Sequence, residues 1–162
     1  MENKKVIILG SSRSSGNTAK SIAAISEKYN IEVIDLNNYT FSYYDYESKN
    51  LDDDFLPLII SIIEKYDTLI FATPVYWYNM SGIMKVFFDR FSDLIRVEKE
   101  TGRKLKGKNM SVISNSHSDS IDKTFYIPFQ KSADYLGMNY IGGIHLNADK
   151  LKIEDKIILD FI

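Results

Sequence analysis

The chain contains no cysteine. Disulfides, thiolate nucleophiles, cysteine-bound zinc and iron–sulfur ligation are all excluded, and the composition is compatible with a reducing cytosol. Histidine is nearly as scarce: His117 and His145 lie far apart, with no carboxylate pattern beside either, so no metal site is expected. Strong charge of one sign is also missing. A formal net charge of −2 is too near neutral for a chain whose main partner is nucleic acid. It also falls short of the acidic surface of a dedicated electron carrier that docks on basic partners. No apolar run approaches the length of a membrane span. The first ten residues, MENKKVIILG, have neither the apolar length nor the small-residue cleavage site of a signal peptide. The expectation is a cytoplasmic protein without membrane or nucleic-acid partners. No G-x-S-x-G occurs, so serine hydrolysis has no support.

What is present is enough for a core. With 162 residues, 44% hydrophobic and 26% charged, the chain is expected to form one domain over residues 1–162. Residues 5–10 (KVIILG) read as a fully buried strand and 31–36 as a second. Residues 67–73 (DTLIFAT), 109–114 and 139–146 supply three more. Between them the period lengthens to that of helices. Residues 16–29 carry Ala19, Ile22, Ala23 and Ser26 on one small, apolar face. A helix starting near residues 52–54 and running to about 65 turns Leu58, Ile59, Ile62 and Ile63 inward. Residues 81–95 present Ile83, Met84, Phe87, Phe88 and Phe91 as one stripe, and residues 123–136 form a further helix. A short last helix is expected from about residue 153. Residues 37–50 (NNYTFSYYDYESKN) read as loop, and residues 96–107 (RVEKETGRKLKG) as a charged hairpin or loop. Strands alternating with helices imply parallel pairing through right-handed crossovers, hence a sheet covered on both faces.

The segment SSRSSGNT, residues 11–18, follows the first strand directly and opens the first helix. In parallel α/β sheets ligands bind beyond the carboxyl ends of the strands. A helix start there offers unpaired N–H groups and the positive end of its dipole to an anion. A triphosphate-binding loop needs four residues between its glycines and then a lysine; here five residues separate Gly10 from Gly16, and Asn17 stands where the lysine would be. A dinucleotide fingerprint fails because Ser12 takes the place of its second glycine. A hydroxyl-rich loop suited to one terminal monophosphate remains, with Arg13 nearby. The bland alternative is that Ser15, Asn17 or Thr18 merely caps the helix, although capping needs one such residue.

Two further segments follow strands. TPVYWYNMSGIMK (residues 73–85) sets Tyr76, Trp77 and Tyr78 in succession, where they border a flat heterocycle or simply pack on neighbouring helices. SNSHSDS (residues 114–120) offers small donors and His117. His117 reads as a surface histidine, and His145, inside an apolar strand, as a satisfied structural one.

With GSSRSSGNT, ATPVYWYNMSGIMKVFFDR and the polar loop after LKGKNMSVIS in view, the chain resembles the flavodoxin-like NAD(P)H-dependent FMN reductase family over nearly its whole length. The resemblance implies an α/β three-layer sandwich with a five-stranded parallel sheet of order 2-1-3-4-5, binding FMN noncovalently. It places Ser11, Arg13, Ser15, Asn17 and Thr18 around the FMN phosphate. It runs Pro74, Val75, Tyr76 and Trp77 along the isoalloxazine, and closes the pyrimidine side with Asn115, Ser116 and His117. The implied activity is a flavin oxidoreductase: hydride passes from NADPH or NADH to FMN, then electrons pass to a small-molecule acceptor such as a quinone or flavin. No side chain need act as a catalytic nucleophile, because the chemistry belongs to the cofactor. The family also implies a homodimer. Two rivals stand beside this reading. One is a flavodoxin-type one-electron carrier with no direct NAD(P)H reaction. The other is a binding module without turnover that uses loops 37–50 and 96–107 as contacts.

Overall fold

The computed structural model describes residues 3–150; the helix expected from about residue 153 lies outside the described residues. Five strands form one sheet: β1 (Lys5–Leu9), β2 (Glu32–Asp35), β3 (Thr68–Pro74), β4 (Asn109–Ser116) and β5 (Asn139–Asn147). The order is β2-β1-β3-β4-β5 and every pairing is parallel. This is the flavodoxin-like arrangement expected above. The central strand β3 is buried at every position, which accounts for its unbroken apolar run. In register, Leu9 stands beside both Asp35 and Ala72, Pro74 beside Asn115, and Ser116 beside Asn147. The carboxyl ends of β1, β3 and β4 therefore open onto one edge.

Alternation along the strands divides the core between two faces. Val6, Ile8, Leu69, Phe71, Met110 and Val112 point to one cluster, and Ile7, Leu9, Ile70, Ala72 and Ile113 to the other. Helix α1 (Asn17–Tyr29) covers the second face. Its buried residues are Thr18, Ala19, Ser21, Ile22 and Ile25. The expected face was therefore rotated: Ala23 is exposed and Ile25 takes the inward place. Isoleucine buries more apolar area than alanine, so that rotation is the favoured one. Ser26 is half-buried and donates to the Ile31 carbonyl at 2.7 Å.

Opposite lie α2 (Phe55–Lys65), α3 (Gly82–Asp89), α4 (Phe91–Arg96), α5 (Lys99–Arg103) and α6 (Ile127–Leu136). Their contact is aromatic. Phe55 and Phe87 centroids are 5.3 Å apart, Phe87 and Phe91 5.5 Å, and Phe88 and Phe129 5.2 Å, all at steep angles. Such pairs add about 0.5–1.5 kcal/mol each beyond their buried area.

Three sequence expectations change here. The single helix over residues 81–95 is two helices, because the chain turns at Arg90, where the Asp93 amide bonds the Arg90 carbonyl at 2.9 Å. The guanidinium of Arg90 is fully buried and ion-paired with Asp53 and Asp93. The segment 96–107 is not simply loop but contains α5. Gly102 lets it approach α4: a Cβ there would stand 2.3 Å from the Leu94 carbonyl oxygen, while Leu105 and Thr101 are buried beneath the charges. Residues 123–126 form a 3-10 turn leading into α6. Among the described residues, no helix is long and apolar enough to cross a membrane.

Candidate cofactor-binding site

The loop after β1 begins at Gly10 because α3 passes close by. A Cβ at Gly10 would stand 2.8 Å from Met84 Cε and 2.9 Å from its Cβ. Ser81 Oγ donates to the Gly10 carbonyl at 2.7 Å and accepts the Met84 amide, capping α3. The Ser81 amide donates to Thr73 Oγ1 at 2.9 Å. Ser11 is buried, and its carbonyl accepts from Asn37 Nδ2 at 2.7 Å. Beyond it Ser12, Arg13, Ser14 and Ser15 are exposed. Ser12 Oγ donates to Tyr76 Oη at 3.1 Å, joining this loop to the one after β3.

Helix α1 begins at Gly16, whose backbone is extended, and no side-chain cap hydrogen bond closes its N-terminus. The capping alternative is thereby answered. Ser15, Asn17 and Thr18 do not cap the helix, so its first amides have no side-chain partner. Thr18 Oγ1 instead donates to Asn115 Oδ1 at 3.3 Å.

After β3 the Val75 amide bonds the Asn115 carbonyl at 3.0 Å, and residues 76–79 close a tight hairpin. Tyr76 N donates to Asn79 O at 2.9 Å and Asn79 N returns the bond at 3.0 Å. The two residues between, Trp77 and Tyr78, have φ of 49° and 63°. Positive φ at both centres marks a mirror-image turn that favours Asn-Gly. Two bulky aromatics held this way cost about 1 kcal/mol or more each. Trp77 is 93% exposed and Tyr78 83%.

After β4 the polar groups are braced rather than free. Buried Asn115 donates from Nδ2 to Ser21 Oγ (3.1 Å) and the Leu146 carbonyl (3.3 Å). Ser114 Oγ meets Tyr126 Oη at 2.8 Å and His145 Nδ1 at 2.8 Å. His145 Nε2 lies 3.1 Å from both Ser116 Oγ and the Ser118 carbonyl. Because a carbonyl only accepts, the ring proton belongs on Nε2, and Nδ1 accepts from Ser114. Burial lowers the His145 pKa below its ordinary value, against a smaller opposing pull from the Ser118 carbonyl. His117 is exposed, with Nδ1 2.9 Å from Asp149 Oδ2.

These three loops surround one cavity of about 150 Å³. Ser11, Arg13, Asn17 and Thr18 line it from the first loop, Pro74, Val75 and Tyr76 from the second, and Asn115, Ser116 and His117 from the third. Ser15 and Trp77 do not line it, the one exposed in the loop and the other at the hairpin tip. Gly16 and Ala148 complete the lining. Nothing in the sequence signals Ala148, which enters because its amide bonds the Ser116 carbonyl at 2.7 Å. The volume, about 150 Å³, is about half that of the smallest ordinary whole-ligand pockets, about 300 Å³. It is of a size for the polar end of a longer ligand rather than for a whole one. Among the described residues no group of three or more acidic or histidine side chains is arranged to hold a metal ion.

Comparison with known proteins fits this geometry. The profile of the NADPH-dependent FMN reductase family matches residues 3–151. YwqN of Bacillus subtilis (strain 168), assigned by name to the NAD(P)H-dependent FMN-containing oxidoreductases, is 34% identical over 99 residues, covering 57% of this chain and 54% of that protein. The chain spans about half the length of the curated relatives it matches. Among solved structures, the Trp repressor binding protein of Bacillus subtilis superposes with a TM-score of 0.68 at 27% identity, over 88% of this chain and 82% of that one. An FMN-dependent NADH-azoreductase of Bacillus anthracis, solved in complex with FMN, gives 0.66 at 16% identity over 98% and 93%, and at that identity shares the fold alone.

Proposed function

The chain belongs to the NADPH-dependent FMN reductase family, and from that premise we propose that it is an FMN-dependent oxidoreductase, drawing hydride from NADPH or NADH and delivering electrons to a small-molecule acceptor such as a quinone or flavin. The observation that carries the reading is the convergence of three separate segments on one cavity beside an N-terminus of α1 that has no side-chain cap. The residues present fit an FMN phosphate: uncapped amides, exposed hydroxyls and one cation, Arg13.

Bound FMN supplies a ring nitrogen that accepts hydride, and the protein's part is placement. Ser11, Arg13, Asn17 and Thr18, with Ser15 at the loop's outer side, would hold the phosphate. Arg13 and the α1 dipole would offset its charge. Pro74, Val75, Tyr76 and Trp77 would border the flat ring, with Ser116 and His117 on its far side. Asn115 acts as a brace: both ends of its amide are engaged by Thr18, Ser21 and Leu146, so it holds the first and third loops at a set separation. His145 orders Ser116 in the same way. The reading extends to a cytoplasmic location, compatible with the lack of cysteine, and to a homodimer, which sedimentation would test.

The deciding experiment is an anaerobic absorbance titration of the FMN-loaded protein with NADPH and then NADH. Bleaching of the flavin bands near stoichiometric nicotinamide is expected. Flavin that binds tightly yet stays oxidised would favour the one-electron carrier, and a chain that takes up no FMN would overturn the proposal.

A further inference from the structure

On the face opposite α1, a groove stays open between α4 and α6. Two hollows make it up, of about 310 Å³ and about 380 Å³, and they meet at Ile95, Tyr135 and Leu136. From that junction one runs past Leu94 to Lys99, Gly102 and Arg103 of α5. The other runs past Phe88 and Phe91 to Lys131 and Ser132 of α6. Each volume lies within the ordinary range for small-molecule pockets, and two hollows joined in line suit an extended chain better than a compact ring.

The groove follows from how the sequence breaks its helices. The chain turns between α3 and α4 at Arg90. The buried guanidinium there pairs with Asp53 and Asp93 and donates to the Ser42 and Asn50 carbonyls, which fixes where α4 begins. Gly102 then lets α5 lie against α4, since a Cβ there would stand 2.3 Å from the Leu94 carbonyl oxygen. Lys99 and Arg103, four residues apart and so on one face of α5, are thereby brought to the end of the groove.

Its floor is apolar, and its rim carries charge of one sign. Ile95 is 41% exposed and Tyr135 76%, so apolar side chains meet water along its length. Three charged groups line it, Lys99, Arg103 and Lys131, and among the described residues no carboxylate does. Arg103 pairs with Glu100, and Lys131 stands 3.9 Å from Asp134, both on the exposed surface. Exposed pairs of this kind contribute little, so an incoming anion can take their place. A carboxylate at the α5 end is matched by two cations. A hydrocarbon chain behind it would cover Ile95, Leu136 and Phe91, removing apolar surface from water. The stem of Lys131 can lie along that chain while its ammonium stays solvated.

We propose that this groove binds an amphiphilic carboxylate of the medium-chain fatty acid class, its head between Lys99 and Arg103 and its chain along α4 and α6. The groove shares no lining residue with the cavity at the strand ends. It is a separate site, and the proposal does not depend on the assignment of FMN.

Equilibrium dialysis of decanoate against the wild-type chain, with and without FMN, tests it, and decan-1-ol serves as the uncharged chain of equal length. Saturable decanoate binding is expected, at least about fivefold tighter than that of decan-1-ol and unaffected by FMN. Ile95→Asp sets a carboxylate at the junction of the hollows and should weaken decanoate binding about tenfold or more. Lys99→Glu, at an exposed side chain, should weaken it severalfold and leave decan-1-ol within about twofold. No saturable binding, equal binding of the alcohol, competition by FMN, or binding that neither variant alters would each overturn the proposal. So would a wild-type dimer in sedimentation that Ile95→Asp dissociates, because the groove would then belong to a second copy of the chain. A chain that takes up no FMN yet binds decanoate in the expected pattern would remove the oxidoreductase reading and leave the groove standing.

Discussion

Ser81 Oγ donates a 2.7 Å hydrogen bond to the carbonyl of Gly10, 71 residues earlier in the chain. Both atoms are buried, and the same hydroxyl accepts the Met84 amide. One side chain thus joins the end of β1, the start of α3 and the loop that begins the candidate cofactor site. Ser81→Ala removes a cap worth about 1 kcal/mol and leaves a buried carbonyl unpaired at about 1–3 kcal/mol more. A loss of about 2–4 kcal/mol in urea unfolding is expected, with weaker FMN binding because the loop loses its anchor. Unchanged stability would mean that the carbonyl finds another donor.

The Trp77–Tyr78 turn is expected to trade stability for function. Replacing the pair by Asn-Gly suits positive φ at both positions and should stabilise the chain by about 1–2 kcal/mol, or about 2–8 °C in melting temperature. The same change removes the aromatic surface at the mouth of the site and should weaken flavin binding. Equal melting temperatures would show that the turn carries no strain.

Arg90→Leu should cost about 3–5 kcal/mol, because it leaves the Asp93 and Asp53 carboxylates, 2% and 15% exposed, without their cation. The amides of residues 40–43 should then exchange faster than those of β3. A loss below about 1 kcal/mol would show that water reaches the two carboxylates and replaces the guanidinium.

His145 should make stability fall with acid. Its folded pKa is lowered, chiefly by burial, whereas the unfolded chain takes up a proton near about 6.5. Between those two values the unfolded state holds more protons, so stability drops as pH falls through about 6.5 and levels once the folded ring is also protonated. Urea midpoints should therefore decline from about pH 7.5 to about pH 5.5 in the wild type, and by less in His145→Gln. Parallel slopes would assign the decline to other groups.

Where the three loops that line the cavity fall could be read from local pattern alone. Each follows a run of buried aliphatic residues, and parallel strands joined by helices must release their carboxyl ends on one side. Ser11, Thr18, Pro74 and Asn115 meet for that reason. Arg90 could not be read this way. Arginine is ordinarily exposed, and its burial is made tolerable by two carboxylates, Asp93 from the next turn and Asp53 from another segment. Helix α5 was hidden by its charges and by Gly102, whose role depends on contact with Leu94.

The sequence by itself determined the five strands, the helices between them in outline, the strand ends that carry polar loops, and the lack of thiol chemistry, because periodicity and composition act through neighbours along the chain. Tertiary structure alone decided which face of α1 is buried, which side chains brace and which stay free, the left-handed turn at Trp77 and Tyr78, and the groove between α4 and α6. Each of those depends on atoms brought together from distant segments, and no local pattern records such a meeting.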